Sequence, residues 1–100
     1  MAVLAIFTGR GVTTRMYDDL RADIDWEHRK PPGAVFHATG VDAAGELHVA
    51  DVWESKEALD AFIAARLTPA FRKLHIPPPD VEFFDIYNAT AFDAVDRYKV

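Results

Sequence analysis

At 100 residues, half of them hydrophobic and 27% charged, the chain has the make-up of one small globular domain with a modest core. A formal net charge of −5 argues against nucleic acid, whose binding depends on neutralising phosphates. Without cysteine there are no disulfides, thiolate nucleophiles or thiolate-held metals; no apolar run approaches the ~20 residues of a membrane span, and the cytoplasm is the expected setting.

The opening MAVLAIFT is too short for a secretory apolar region and lacks a basic start. It reads as a strand over Ala2–Thr8, apolar throughout and therefore central in its sheet. Gly9-Arg10-Gly11 is a loop whose spacing does not match a phosphate-binding fingerprint. Thr13 or Thr14 caps a helix running to about Trp26, with Met16, Tyr17, Leu20 and Ile24 on its buried side. His28, Arg29 and Lys30 complement the negative end of that helix, and Pro31-Pro32-Gly33 stops it and turns the chain.

Ala34–Val41 is a second strand, followed by a four-residue hairpin loop, Asp42-Ala43-Ala44-Gly45, with Gly45 suited to a left-handed position. His48–Trp53 is a third strand, apolar on both faces and so to be covered twice. Ser55 is an N-cap and Glu57 suits the first helical turn. Leu59, Phe62, Ile63, Leu67, Ala70, Phe71 and Leu74 then recur at spacings of three and four, drawing one apolar stripe. Pro69 interrupts it, so a kink or break is expected around Thr68. Pro77-Pro78-Pro79 is a stiff connector and Val81–Asn88 the last strand. Residues 1–88 thus form the domain. Residues 89–100 form a tail whose Phe92, Val95 and Tyr98 point to docking on the domain or on a partner subunit.

This order is βαββαβ, two split βαβ units. With right-handed crossovers it gives an α+β, ferredoxin-like domain: a four-stranded antiparallel sheet with two helices on one face. The other face of so apolar a sheet is left bare, and a homodimer stacking two such sheets covers it.

An ionisable side chain in the middle of an apolar strand needs a partner. His37 sits between Phe36 and Ala38, and Asp51 between Ala50 and Val52. Two registers are open. If Val41 pairs with Glu46, Phe36 faces Asp51 and His37 shares a face with His48. One extra residue, such as a bulge at Gly40, sets His37 across from Asp51. The second register is preferred because it satisfies two awkward polar groups at once. Asp51 then holds the His37 tautomer and makes His37 a base or proton shuttle. The competing reading is a structural hydrogen bond at a dimer interface. His48 reads as an outward strand residue and His75 as a cation at a helix end. The histidines show no ligand spacing, so no metal site is expected. Tyr17, Trp53, Phe62, Phe84 and Tyr87 either line a pocket between sheet and helices or pack in the core. Arg66 and Arg72 lie at the margin of the stripe, facing an anionic ligand or solvent.

Val52-Trp53-Glu54-Ser55-Lys56-Glu57-Ala58, with Phe62 four residues on, resembles the strand-to-helix junction of the antibiotic biosynthesis monooxygenase-like proteins. That resemblance implies a dimeric α+β barrel, paired sheet to sheet. Within that group, heme-degrading members are similar in using an asparagine on the first strand, a tryptophan in the second helix and a histidine near its end. Here the first strand has no asparagine, and Phe62 and Arg72 occupy the other two positions, so heme degradation is not expected. The resemblance instead implies a monooxygenase or isomerase working without a cofactor on a compact aromatic or polyketide-like molecule. His37 and Asp51 would be its catalytic pair, and Trp53, Phe62, Tyr17 and Arg72 its ligand-binding residues. The alternative is a non-catalytic ligand-binding or dimeric interaction module.

Overall fold

The computed structural model describes residues 1–99; Val100, the end of the expected tail, lies outside them. Strand β1 (Val3–Gly9) alternates buried and half-buried residues along its length, because both of its edges are paired and one of its faces packs in the core. It pairs antiparallel with β3 (Leu47–Trp53) and β4 (Asp80–Asp85), while β2 (Ala34–Val41) lies outside β3. The sheet order is therefore β2-β3-β1-β4, the ferredoxin-like arrangement.

Helix α1 (Thr14–Ile24) starts at Thr13, whose hydroxyl accepts the amide hydrogen of Met16. It stops two residues earlier than the periodicity suggests, and well before the prolines. Asp25 turns into the left-handed region at φ 56°, and its amide closes back on the Arg21 carbonyl. Ser55 caps α2 (Lys56–Phe62) through the Ala58 amide, as its position predicts.

No break occurs at Thr68. The helix instead widens into a π-turn over Ile63–Leu67 and continues as α3 (Thr68–Leu74), with Pro69 in the first turn of that segment. The amide of Thr68 reaches back to the Ile63 carbonyl, so the wider turn takes up the proline without ending the helix. It also shifts the inward face by one residue. Phe62 and Leu67 are both buried five positions apart, and Arg66, which four-residue spacing would turn inward, lies at the edge. Its guanidinium donates to the carbonyls of Ile24, at the end of α1, and Arg29.

The core fills the space between the helices and one face of the sheet. Val3, Ala5, Phe7, Leu47 and Trp53 from the strands meet Leu20, Ile24, Leu59, Phe62, Leu67 and Ala70 from the helices. Strand alternation sends Leu4, Ile6, Phe36, Ala50, Val52 and Phe84 to the opposite face. Among the described residues no helix covers that face, and Phe36 and Phe84 are 39% and 49% exposed. Strand β4 ends at Asp85, three residues short of the expected Asn88. Beyond it Tyr87 is fully exposed, and a short 3₁₀ turn, Asp93–Tyr98, runs along the surface with only Val95 half-buried.

Candidate functional site

The β2–β3 hairpin decides which residues meet. Val41 pairs with Leu47, and Asp42 closes the loop by donating its amide to the Glu46 carbonyl. Five residues, Asp42 to Glu46, thus connect the paired strand ends, with Gly45 left-handed at φ 85°. Asp42 stabilises it by accepting the amides of Ala44 and Glu46 on one carboxylate oxygen. The extra residue sits in the loop. The strand runs regularly through Gly40, and its irregularity lies at its other end, at Val35. The outcome is that His37 pairs directly with Asp51.

Both side chains point to the helix face, beneath α1. His37 Nδ1 lies 2.5 Å from Asp51 Oδ1, and the other carboxylate oxygen accepts the Trp53 indole N–H at 3.1 Å. A carboxylate only accepts, so the hydrogen of the imidazole sits on Nδ1 and Nε2 is left with a lone pair. The Tyr17 hydroxyl from α1 donates to Nε2 at 2.7 Å. Thr39, two residues along β2 on the same face, donates to the Tyr17 oxygen at 2.7 Å and lies 3.0 Å from Nε2. Trp26 packs on the imidazole with ring centres 4.9 Å apart, brought there by the chain reversal at Asp25. Asp51 is 7% exposed, while the His37 side chain is open for a third of its surface. Burial pushes the Tyr17 phenol above its usual value, against the opposing pull of the Thr39 hydrogen bond and the nearby Arg21 charge. Tyr17 therefore remains a neutral donor through the physiological range.

This network borders a cavity of about 280 Å³ between sheet and helices. Phe7, Val49, Phe62, Phe71 and Trp53 make apolar walls, and Tyr17, His37 and Asp51 supply the polar groups at one side. Of the six residues singled out in the sequence, five line this space. Arg72 does not: it is exposed on α3, because the π-turn rotates the last segment relative to a continuous α-helix. Phe84 and Tyr87 do not line it either, since alternation puts Phe84 on the open face and Tyr87 lies beyond the strand. Sequence reasoning missed Trp26 and Thr39. The two-residue spacing from His37 could have placed Thr39 on the same face; nothing local marks Trp26.

One set of ionisable groups lies close together on the hairpin. Asp42, Glu46 and His48 bring ligand atoms within 4.8 Å of one another on the exposed surface. There His48 Nε2 bonds Asp42, whose carboxylate is held below its usual range by that contact and by the loop amides.

No family model matches the sequence, and no curated protein matches it. Solved structures do. SnoaB, a cofactor-independent oxygenase from Streptomyces nogalater, aligns with a TM-score of 0.64 at 13% identity over 88% of this chain and 94% of its own. A candidate antibiotic biosynthesis monooxygenase from Chloroflexus aurantiacus gives 0.66 at 16% identity, over 91% of this chain and 98% of that one. NE2512 of Nitrosomonas europaea, a protein of unknown function, also gives 0.66 at 16% identity, covering 91% and 95%. At these identities the likeness speaks for the fold. The chain has the fold of the antibiotic biosynthesis monooxygenase-like proteins, as the junction from Val52 to Phe62 implies.

Proposed function

We propose that the chain is a small oxygenase that needs no cofactor, acting by proton abstraction on a compact aromatic molecule held in the cavity. The observation that carries this reading is the His37–Asp51 bond of 2.5 Å, which leaves the Nε2 lone pair beside an apolar cavity. Asp51 orients the imidazole and stabilises the imidazolium as it forms. Trp53 and Phe62 form walls against the substrate ring. Tyr17, already at hydrogen-bonding distance from Nε2, yields that place to the substrate and donates to the oxygen where charge develops.

A fitting substrate has a C–H acidified by flanking rings and a ketone, as in an anthrone. His37 takes one of the two hydrogens of its CH₂ as a proton. The carbanion passes an electron to O₂, the two radicals combine as a peroxide anion that takes the proton back from His37, and loss of water from the resulting hydroperoxide leaves a ketone. In sum CH₂ and O₂ become C=O and H₂O. The fold shared with SnoaB supports this class of chemistry. The working unit would be a homodimer formed through the open sheet face.

A second reading has its own support. Every polar group of the network already has a partner within the chain, as in a structural hydrogen-bond cluster of a non-catalytic binding module. His37→Gln separates the two when melting temperature, ligand binding and oxygen uptake with an anthrone are measured together. The enzyme reading expects a nearly unchanged fold and uptake lowered by about 10²–10⁴-fold. A strongly destabilised variant that still binds the anthrone would instead assign the pair to structure.

A further inference from the structure

A second space adjoins the cavity. It is a surface groove between α1 and β2, and Tyr17, Trp26, His37 and Leu47 border both spaces. The groove is lined along its length by Thr14, Asp18, Arg21, Glu27 and Thr39, with Tyr98 and Lys99 of the C-terminal segment also on its wall. The inner cavity is almost wholly apolar, whereas the groove offers hydroxyls, two carboxylates and two cations. Tyr17 and His37, hydrogen-bonded at 2.7 Å, stand between the two spaces, so a molecule reaching from one to the other displaces Tyr17 from Nε2, as the proposed chemistry also requires.

The charges in the groove restrict what its occupant can be. Arg21 is paired with Glu27 through two nitrogens, and Lys99 with Asp96 at 2.8 Å. An anion would have to break one of these pairs to gain a cation, and a cation would meet Arg21 and Lys99 on the same walls. A neutral group rich in hydroxyls can accept from the cations and donate to the carboxylates without disturbing either pair. Trp26, Tyr17 and Tyr98 add aromatic surface of the kind that packs against the C–H face of a sugar ring. Tyr98 is 80% exposed, so it contributes little to the core and is free to serve a ligand.

We infer that the substrate is bipartite: an aromatic head fills the inner cavity and an uncharged polyhydroxylated substituent, such as a glycosyl group, lies in the groove against Tyr98 and Lys99. The C-terminal segment is then a specificity element of the site. This rests on the inner cavity holding an aromatic ring, as argued above for the function.

Three probes test it by isothermal titration calorimetry: 2-methoxynaphthalene, 2-naphthyl β-D-glucopyranoside and 2-naphthyl phosphate. All three carry the same ring and ether-type oxygen, and only the substituent changes. The glucoside is expected to bind about tenfold more tightly than the methoxy compound, the equivalent of about 1.4 kcal/mol. The double variant Tyr98→Ala, Lys99→Ala should remove that advantage while leaving 2-methoxynaphthalene affinity and the melting temperature unchanged. A glucoside that binds no better than the methoxy compound overturns the inference and leaves the inner cavity standing. So does a variant that weakens both ligands equally. If the phosphate binds most tightly, the groove takes an anion and the neutral class is wrong. If none of the three binds, the aromatic cavity itself fails, and the bipartite substrate with it.

Discussion

Asp51 is the only charged side chain buried in the core among the described residues, and both of its oxygens are occupied. Burying a carboxylate is tolerable only when hydrogen bonds replace the lost water. The His37 and Trp53 donors do that, and the arrangement extends through His37 to Tyr17 and Thr39. The presence of a His–Asp contact was legible in the sequence, because two ionisable groups at the centres of apolar strands require one another. Its extension to Tyr17 and Thr39 was not, because it depends on the height of α1 over the sheet, which no local pattern encodes. Tyr17 carries a prediction of pH dependence. Its folded value is raised above the ordinary 10.0, chiefly by burial. The ionised phenolate is thus disfavoured in the folded state relative to the unfolded chain. The stability linked to Tyr17 is complete below pH 10 and falls as pH rises through the raised value. An absorbance titration of the native protein should show a phenol step above the ordinary range, and Tyr17→Phe should abolish that late step. A native titration without such a step would contradict the burial of Tyr17.

At the scale of elements, two small departures from regular structure determine which side chains reach the site. Placing one more residue in the hairpin loop turns His37 rather than Phe36 toward the helices, since a slip of one exchanges the faces of a strand. The need for an extra residue could be read from the polar pair. Its location could not, because Gly40 and Gly45 both tolerate an irregularity and only Gly45 adopts the left-handed turn. The π-turn is the second departure, and it was not legible: a proline at position 69 signals a disturbance but leaves open whether the helix breaks or widens. That choice separates Leu67 from Arg66 and removes Arg72 from the site. A third constraint lies at Gly33, where the chain enters β2. Its φ is +86°, and a Cβ there would lie 2.6 Å from that of Ala58 on α2. Its carbonyl meanwhile accepts the Glu54 amide at 2.8 Å, tying the strand entrance to the end of β3. Gly33→Ala combines an unfavourable dihedral with a contact that neither backbone can relieve. A loss of about 2–4 kcal/mol is expected in urea denaturation. A change below about 0.5 kcal/mol, the usual range for a surface position, would mean that α2 and the β2 entrance are not held this closely.

At the scale of the molecule, the sheet is unequal on its two faces. One is closed by both helices, and the other presents Leu4, Ile6, Phe36, Ala50 and Phe84 around the central strands. The βαββαβ order and the apolar composition of every strand made this asymmetry legible, since two helices following this topology pack on one side only. Burying apolar area against an identical face is favourable in proportion to the area removed from water, and a two-fold axis lets one surface serve both subunits. The Ile6 position, on a strand flanked by β3 and β4, tests the homodimer directly. Replacing Ile6 with Glu sets two carboxylates near a symmetry axis in a desolvated interface, where neither has a partner. The side chain faces away from the core, so the subunit itself should fold with its melting behaviour set by its own helices and sheet. Sedimentation velocity is expected to show a dimer for the native chain and a folded monomer for Ile6→Glu. A native chain that sediments as a monomer across the micromolar range would remove the sheet-to-sheet dimer from the proposal. The site would survive that result, because His37, Asp51, Tyr17 and the cavity all lie on the opposite, helix-covered face and belong to a single subunit.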